Sequence, residues 1–149
     1  MYQHILMPYD GSGMSLKALE EATALAKSLG ARLTLIYVVS PFHLHIQPWS
    51  TPKKVLDKIE DQHVAEAKSS AETMLLEAQA RAKAQGVRCE SVAVVGEFPY
   101  REIIETARKS GCDLIMMASH GRSGLDAILL GSETTKVLTH SSIPVLVVR

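Results

Sequence analysis

Three stretches of this chain, residues 33–39 (LTLIYVV), 114–118 (LIMMA) and 144–148 (PVLVV), are β-branched or apolar at nearly every position, with no polar alternation. A strand with one wet face alternates. A strand that is apolar on both sides must be covered on both faces, which points to a parallel sheet sandwiched between helices. Ile5-Leu6-Met7 reads as a shorter strand of the same kind, and residues 88–95 as another.

Helical patterns separate these runs. Leu16, Leu19, Ala22, Ala26 and Leu29 recur at spacings of three and four, and Gly30 stands where a helix stops. From about Lys53 to Gln85, the residues Ala67, Ala71, Met74, Leu75, Ala78 and Ala82 form one stripe, with charges around the rest and Gly86 at the end. Pro99 suits the first position of a third helix, with Ile103, Ile104 and Ala107 inward and Gly111 as its stop. A fourth helix is expected over 132–140, where His140 suits the C-terminus. Residues 41–52, with three prolines, His43, His45 and Trp49, read as a surface loop or partner surface. Residues 119–131 read as a second loop, with one helical turn expected around 126–130.

Strands alternating with helices imply parallel pairing and right-handed crossovers. The expected fold is α/β: an open, doubly wound, Rossmann-like sheet of five parallel strands with helices on both faces. A length of 149 residues suits one domain spanning 1–149.

Composition narrows the function. Sixteen basic residues balance sixteen acidic ones, so the basic excess of a phosphate-gripping nucleic-acid binder is missing. The longest apolar runs fall far short of the roughly 18 residues a bilayer span needs. The N-terminus carries no basic-then-apolar leader pattern. Cys89 and Cys112 read as two buried thiols in a reducing cytoplasm. The expected protein is cytoplasmic and binds neither nucleic acid nor membrane.

In an open parallel sheet, ligands sit beyond the carboxyl ends of the strands, where the strand order reverses. Two loops meet there, after the first and fourth strands. The first holds Asp10-Gly11-Ser12-Gly13, and the second holds Ser119-His120-Gly121-Arg122-Ser123-Gly124, followed by Gly131-Ser132 at a helix start. The first amides of a helix lack intrahelical partners and carry partial positive charge, so they suit an anion. Glycines let backbone amides approach a phosphate, Arg122 adds charge, and the Ser132 hydroxyl can donate to a phosphate or ligate its metal ion. Asp10 can accept from a ribose hydroxyl. The Gly-Lys-Ser/Thr phosphate loop is absent. Leu16 replaces the third glycine of the dinucleotide fingerprint, and Val39-Ser40 replaces its acidic partner, which disfavours NAD.

These residues resemble the universal stress protein family. Its nucleotide-binding branch carries Gly, two residues, Gly, nine residues, then Gly and Ser or Thr. Here the frame runs Ala118-Ser119-His120-Gly121, nine residues, then Gly131-Ser132, with Ala118 at the first glycine. The start (ILMPYDGS), the end (IPVLVV) and Gly96-Glu97-Phe98-Pro99 also resemble the family.

The resemblance implies strand order 3-2-1-4-5 and ATP, or AMP or ADP, as ligand. Asp10 would meet the ribose, Val38 would offer its backbone to adenine, and Pro8 and Tyr9 would line the base pocket. Met117 and Ala118 would lie beside the ribose. His120, Gly121, Arg122, Gly124, Gly131, Ser132, Glu133 and Thr134 would surround the phosphates, with Mg²⁺ or Mn²⁺ among them. It also implies a homodimer through the last strand, Pro144-Val145-Leu146-Val147-Val148. That strand is an apolar edge which pairing with a second copy would cover.

Three functional classes follow. The first is an ATP-binding regulatory stress-response module. The second is a nucleotide-independent interaction dimer of the same family, possessing an unidentified protein partner, with Ala118 as its sequence hint. The third is a slow ATPase, for which His120 is the sole candidate base and no catalytic residue is assigned. Each site residue also has a structural role to weigh: Asp10 or Ser132 as a helix cap, the glycines as turns, and Arg122 as solvated surface. His43 and His45 are two apart but lack a third ligand for a metal.

Overall fold

The computed structural model describes residues 1–43, 49, 51–121 and 130–149. The elements are β1 (His4–Pro8), α1 (Gly13–Leu29), β2 (Arg32–Val39), α2 (Lys53–Ala84), β3 (Cys89–Val95), α3 (Pro99–Lys109), β4 (Leu114–Ala118), α4 (Ser132–His140) and β5 (Val145–Val148). The five strands form one parallel sheet, as the unalternated runs predict, in the order β3-β2-β1-β4-β5 that the resemblance implies.

Helices cover both faces. Beneath α1 and α2 lies one core cluster, with Ile5, Met7, Leu33 and Leu35 packed against Leu19, Ala22, Leu75 and Ala78. On the other face, Leu6, Ile36, Ile115 and Met117 pack against Ile103, Ala107 and Val137 of α3 and α4. Both faces of each central strand are therefore dry, the physical reason these strands carry no polar alternation. The α2 stripe behaves as its spacing predicts: Ala71, Leu75, Ala78 and Ala82 are buried. Helix stops at Gly30, Gly86 and Gly111 each have positive φ (65°, 86° and 68°), which glycine adopts without a Cβ penalty.

Both cysteines are free and buried, and burial pushes each thiol up to about 11. Among the described residues, no helix is long and apolar enough to cross a membrane. Arg122, Gly124, His45 and the helical turn expected around 126–129 lie outside the described residues.

Candidate functional site

The sheet itself opens the crevice. β1 pairs with β2 over five residue pairs, from His4↔Arg32 to Pro8↔Ile36, but with β4 over only two, Ile5↔Leu114 and Leu6↔Ile115. Past Leu6 the two central strands part. β2 also runs on beyond the last β1 pair: the Tyr9 amide donates to Ile36 O at 2.9 Å, and Val38 lies further along with β3 beside it. The backbone of Val38 thus stands at the rim of the gap, and Pro8, half-buried, ends β1 below it.

The loop after β1 is held by its own side chains. Gly11 has φ 78°, a left-handed turn that favours glycine. Asp10 Oδ1 accepts from the Ser12 amide at 2.9 Å, and Ser12 in turn caps α1 by accepting from the Ser15 amide at 3.2 Å. The cap of α1 is therefore Ser12, while Asp10 fixes the turn before it. A Cβ on Gly121 would come within 3.0 Å of Asp10 Oδ2, so the two loops meet at these residues.

The start of α4 is tied to the same place. The Gly131 amide donates to Ser119 O at 2.8 Å, and the buried Thr134 donates its hydroxyl to Ala118 O at 3.1 Å. A Cβ on Gly131 would stand 3.2 Å from Ser119 O, a tight contact, and 3.5 Å from His120 Cα, an ordinary one. Gly131 is the N-cap of α4, with no side-chain capping bond, and Ser132, exposed, is its first residue. The capping role considered for Ser132 thus falls to Gly131.

Ser119, which the sequence reading passed over, is the hub of this arrangement. It is 2% exposed, its amide donates to Val148 O at 2.8 Å, its carbonyl accepts from Gly131, and its Oγ lies 2.9 Å from His120 Nδ1. His120 Nε2 is buried and has no hydrogen-bond partner among the described residues. A buried unpaired polar atom costs free energy until something pairs with it.

The remaining expected residues divide. Met117 and Ala118 lie at the end of β4, the first buried and the second half-buried. Tyr9 joins the core cluster beneath α1 and α2 with only 8% exposure, and burial raises its hydroxyl pKa. Glu133 turns to α3: its Oε2 accepts from the Tyr100 amide and its Oε1 from Lys136 Nζ, both at 2.9 Å. No sequence signal pairs Glu133 with α3, because that contact depends on how the two helices cross.

For a metal, the described residues contain no group of three or more His, Cys, Asp or Glu. His43 Nδ1 approaches Glu60 Oε2 at 3.9 Å instead.

Comparison with known proteins agrees with this geometry. The model of the universal stress protein family matches residues 1–149. Universal stress protein YxiE of Bacillus subtilis is 35% identical over 153 residues, covering 100% of both chains. The solved structure of MJ0577, a universal stress protein of Methanocaldococcus jannaschii, superposes with a TM-score of 0.83 at 30% identity, covering 99% of this chain and 96% of the other. A universal stress protein solved in complex with cAMP superposes at 0.71 with 28% identity, covering 99% of this chain and 97% of that one. The chain belongs to the universal stress protein family.

Proposed function

We propose that this protein binds adenine nucleotide, ATP in particular, in the crevice between β1 and β4, and acts as a regulatory stress-response module. The observation that carries this reading is the double approach of Gly121 to Asp10 and of Gly131 to Ser119. It sets a carboxylate beside one bare α-carbon and a helix N-terminus at the other, on the two loops that follow β1 and β4. Asp10 would accept from the ribose, Val38 would meet adenine through its backbone, and the first amides of α4 with Gly121 and His120 would hold phosphates. The unpaired His120 Nε2 is suited to a phosphate oxygen. Arg122 and Gly124 are proposed for the same phosphates from their place in the sequence alone. The cAMP complex of a relative supports an adenine nucleotide as the ligand class.

Mg²⁺ or Mn²⁺ bound with the phosphates would neutralise their charge, and the Ser132 hydroxyl is the side chain suited to touch it. The proposed activity is binding, with slow hydrolysis as the lesser alternative, for which His120 is the candidate base. Binding regulates only if the nucleotide-bound form differs in affinity for a second molecule. We place that second molecule at a protein partner, and the setting in the cytoplasm, where buried free thiols stay reduced.

The edge of the sheet favours a homodimer as well. β5 is the last strand and Leu146 on it is 39% exposed, so antiparallel pairing with a second copy would cover both backbone and side chain.

Titration calorimetry with ATP and Mg²⁺ tests the site. The parent is expected to bind saturably at micromolar concentration. Gly131→Val, whose side chain would press on Ser119 O, is expected to lose binding while keeping its far-ultraviolet spectrum. Equal binding by the parent and Gly131→Val would overturn the phosphate placement. No binding by the parent at millimolar ATP would leave the nucleotide-independent dimer as the better reading.

A further inference from the structure

On the face of the molecule away from α2, α3 and the end of α4 border an open groove of about 780 Å³. Three permanent cations line it: Arg101, Arg108 and Lys109. His140 adds a protonatable ring, packed against the Tyr100 ring at 5.2 Å between centroids. The acid in the lining, Glu105, is already held by Lys109 at 2.7 Å. Neither Arg101 nor Arg108 makes an ion pair among the described residues.

Helix stability explains part of this. Arg108, Lys109 and His140 sit in the last turns of their helices, where cations complement the negative end of the dipole. It does not explain Arg101, which stands in the first turn of α3, where the dipole disfavours a positive charge. Arg101 is nonetheless held in place. Its Nε donates to Tyr100 Oη at 2.9 Å, and its guanidinium lies 4.7 Å from the centroid of Phe98, a ring left 46% exposed. Stacking and one donated bond fix the plane of the guanidinium and leave its outer N–H groups for an acceptor.

Arg101 and Arg108 are seven residues apart, which puts them on one face of α3 about 10 Å apart along the axis. An extended polyproline II chain places residues i and i+3 on one side at about 9 Å. Two carboxylates so spaced match the two arginines, while Ile104, half-buried between them, offers an apolar contact for the residues in between. We propose that this groove docks an acidic, extended segment of a protein partner, with Arg101 and Arg108 each receiving a carboxylate. A surface only two arginines long favours a peptide over nucleic acid, as does the balanced charge of the whole chain.

Fluorescence polarisation at low ionic strength tests this with the full-length chain. The probes are a labelled peptide repeating Glu-Pro-Pro and its Gln-Pro-Pro counterpart. The acidic peptide is expected to bind at least about tenfold tighter, to weaken as salt rises, and to lose about tenfold in affinity in Arg101→Glu and again in Arg108→Glu. Both side chains are exposed, so both variants are expected to stay folded with the parent's ATP affinity, Arg108→Glu melting slightly lower because it puts an acid at the helix C-terminus. Equal binding of the two peptides, or undiminished binding by either variant, would overturn the proposal. So would displacement of the peptide by equimolar inorganic phosphate, which would mark a small-anion site, or tighter binding of a single-stranded oligonucleotide.

Discussion

Asp10 and Gly121 face each other across the parted strands: a Cβ on Gly121 would stand 3.0 Å from Asp10 Oδ2. The φ of Gly121 is not positive, so its backbone suits any residue and the constraint is steric. The carboxylate cannot easily yield, because its other oxygen holds the Ser12 amide. Gly121→Ala is therefore expected to shift Asp10 and cost about tenfold in ATP affinity, roughly 1.4 kcal/mol, with little change in melting temperature. Calorimetry and thermal melting on the same preparation separate the two effects.

Asp10→Ala removes both the proposed ribose acceptor and the partner of the Ser12 amide. The expected stability loss is at least about 1 kcal/mol, the net worth of the Ser12 hydrogen bond alone. Asp10→Asn keeps an oxygen for Ser12 and is expected to restore most of that stability without restoring full ATP affinity. If Asn behaves as the parent in both respects, the negative charge at this position has no role in binding.

His4 makes stability depend on pH. It is 5% exposed, with Nε2 at 2.7 Å from Thr34 Oγ1 and Nδ1 at 3.1 Å from Ser110 O. Burial, aided by the Arg32 charge, lowers its pKa below the usual 6.5. The unfolded chain then takes up a proton near 6.5 that the folded chain refuses. The stabilisation is whole above that pH and is lost as pH falls from there toward the folded value. The melting temperature is expected to drop between pH 7 and pH 5, and to drop less in His4→Gln. An imidazole titration followed by NMR that centres above 6.5 would contradict this.

The thiols should be inert in the folded state. Cys89 and Cys112 are both pushed from 9.0 to about 11, chiefly by burial. At pH 8 that leaves about a hundredfold less thiolate than an ordinary cysteine. A chromogenic disulfide reagent is expected to react slowly with native protein and fast with both cysteines in denaturant.

Leu146→Asp tests the edge of the sheet. Placing a charge on β5 at a position 39% exposed is expected to give a monomer by light scattering where the parent gives a dimer. A parent that is monomeric at tens of micromolar would remove that role from β5.

Much of the architecture was legible because burial on both faces erases alternation. Residues 33–39 and 114–118 declared themselves as central strands by composition alone, and Gly30, Gly86 and Gly111 marked helix ends through a backbone conformation other residues avoid. The approach of Asp10 to Gly121 was legible too, since strand order brings the first and fourth loops together whatever their details. Contacts that depend on how packed helices cross were not legible. Glu133, which the resemblance places among the phosphate neighbours, also accepts from the Tyr100 amide at the start of α3, a contact its sequence does not announce. Tyr9 adjoins the crevice in the chain, yet its ring belongs to the core. Ser119 and His4 carry no local signal, because their partners lie far off in sequence, at Val148 and Gly131 for one and at Thr34 and Ser110 for the other.

Ser119 has a consequence for communication across the molecule. Through its two main-chain polar groups, one residue grips the outermost strand on one side and the mouth of the last helix on the other. A second copy paired along β5, as proposed, would lie one residue from the proposed phosphate site, with Ser119 as the shared link. Any coupling through that link would act equally in both directions, since coupling between two equilibria is symmetric. If the proposed nucleotide fills the cleft and a second copy pairs at the rim, both events would meet at this one residue.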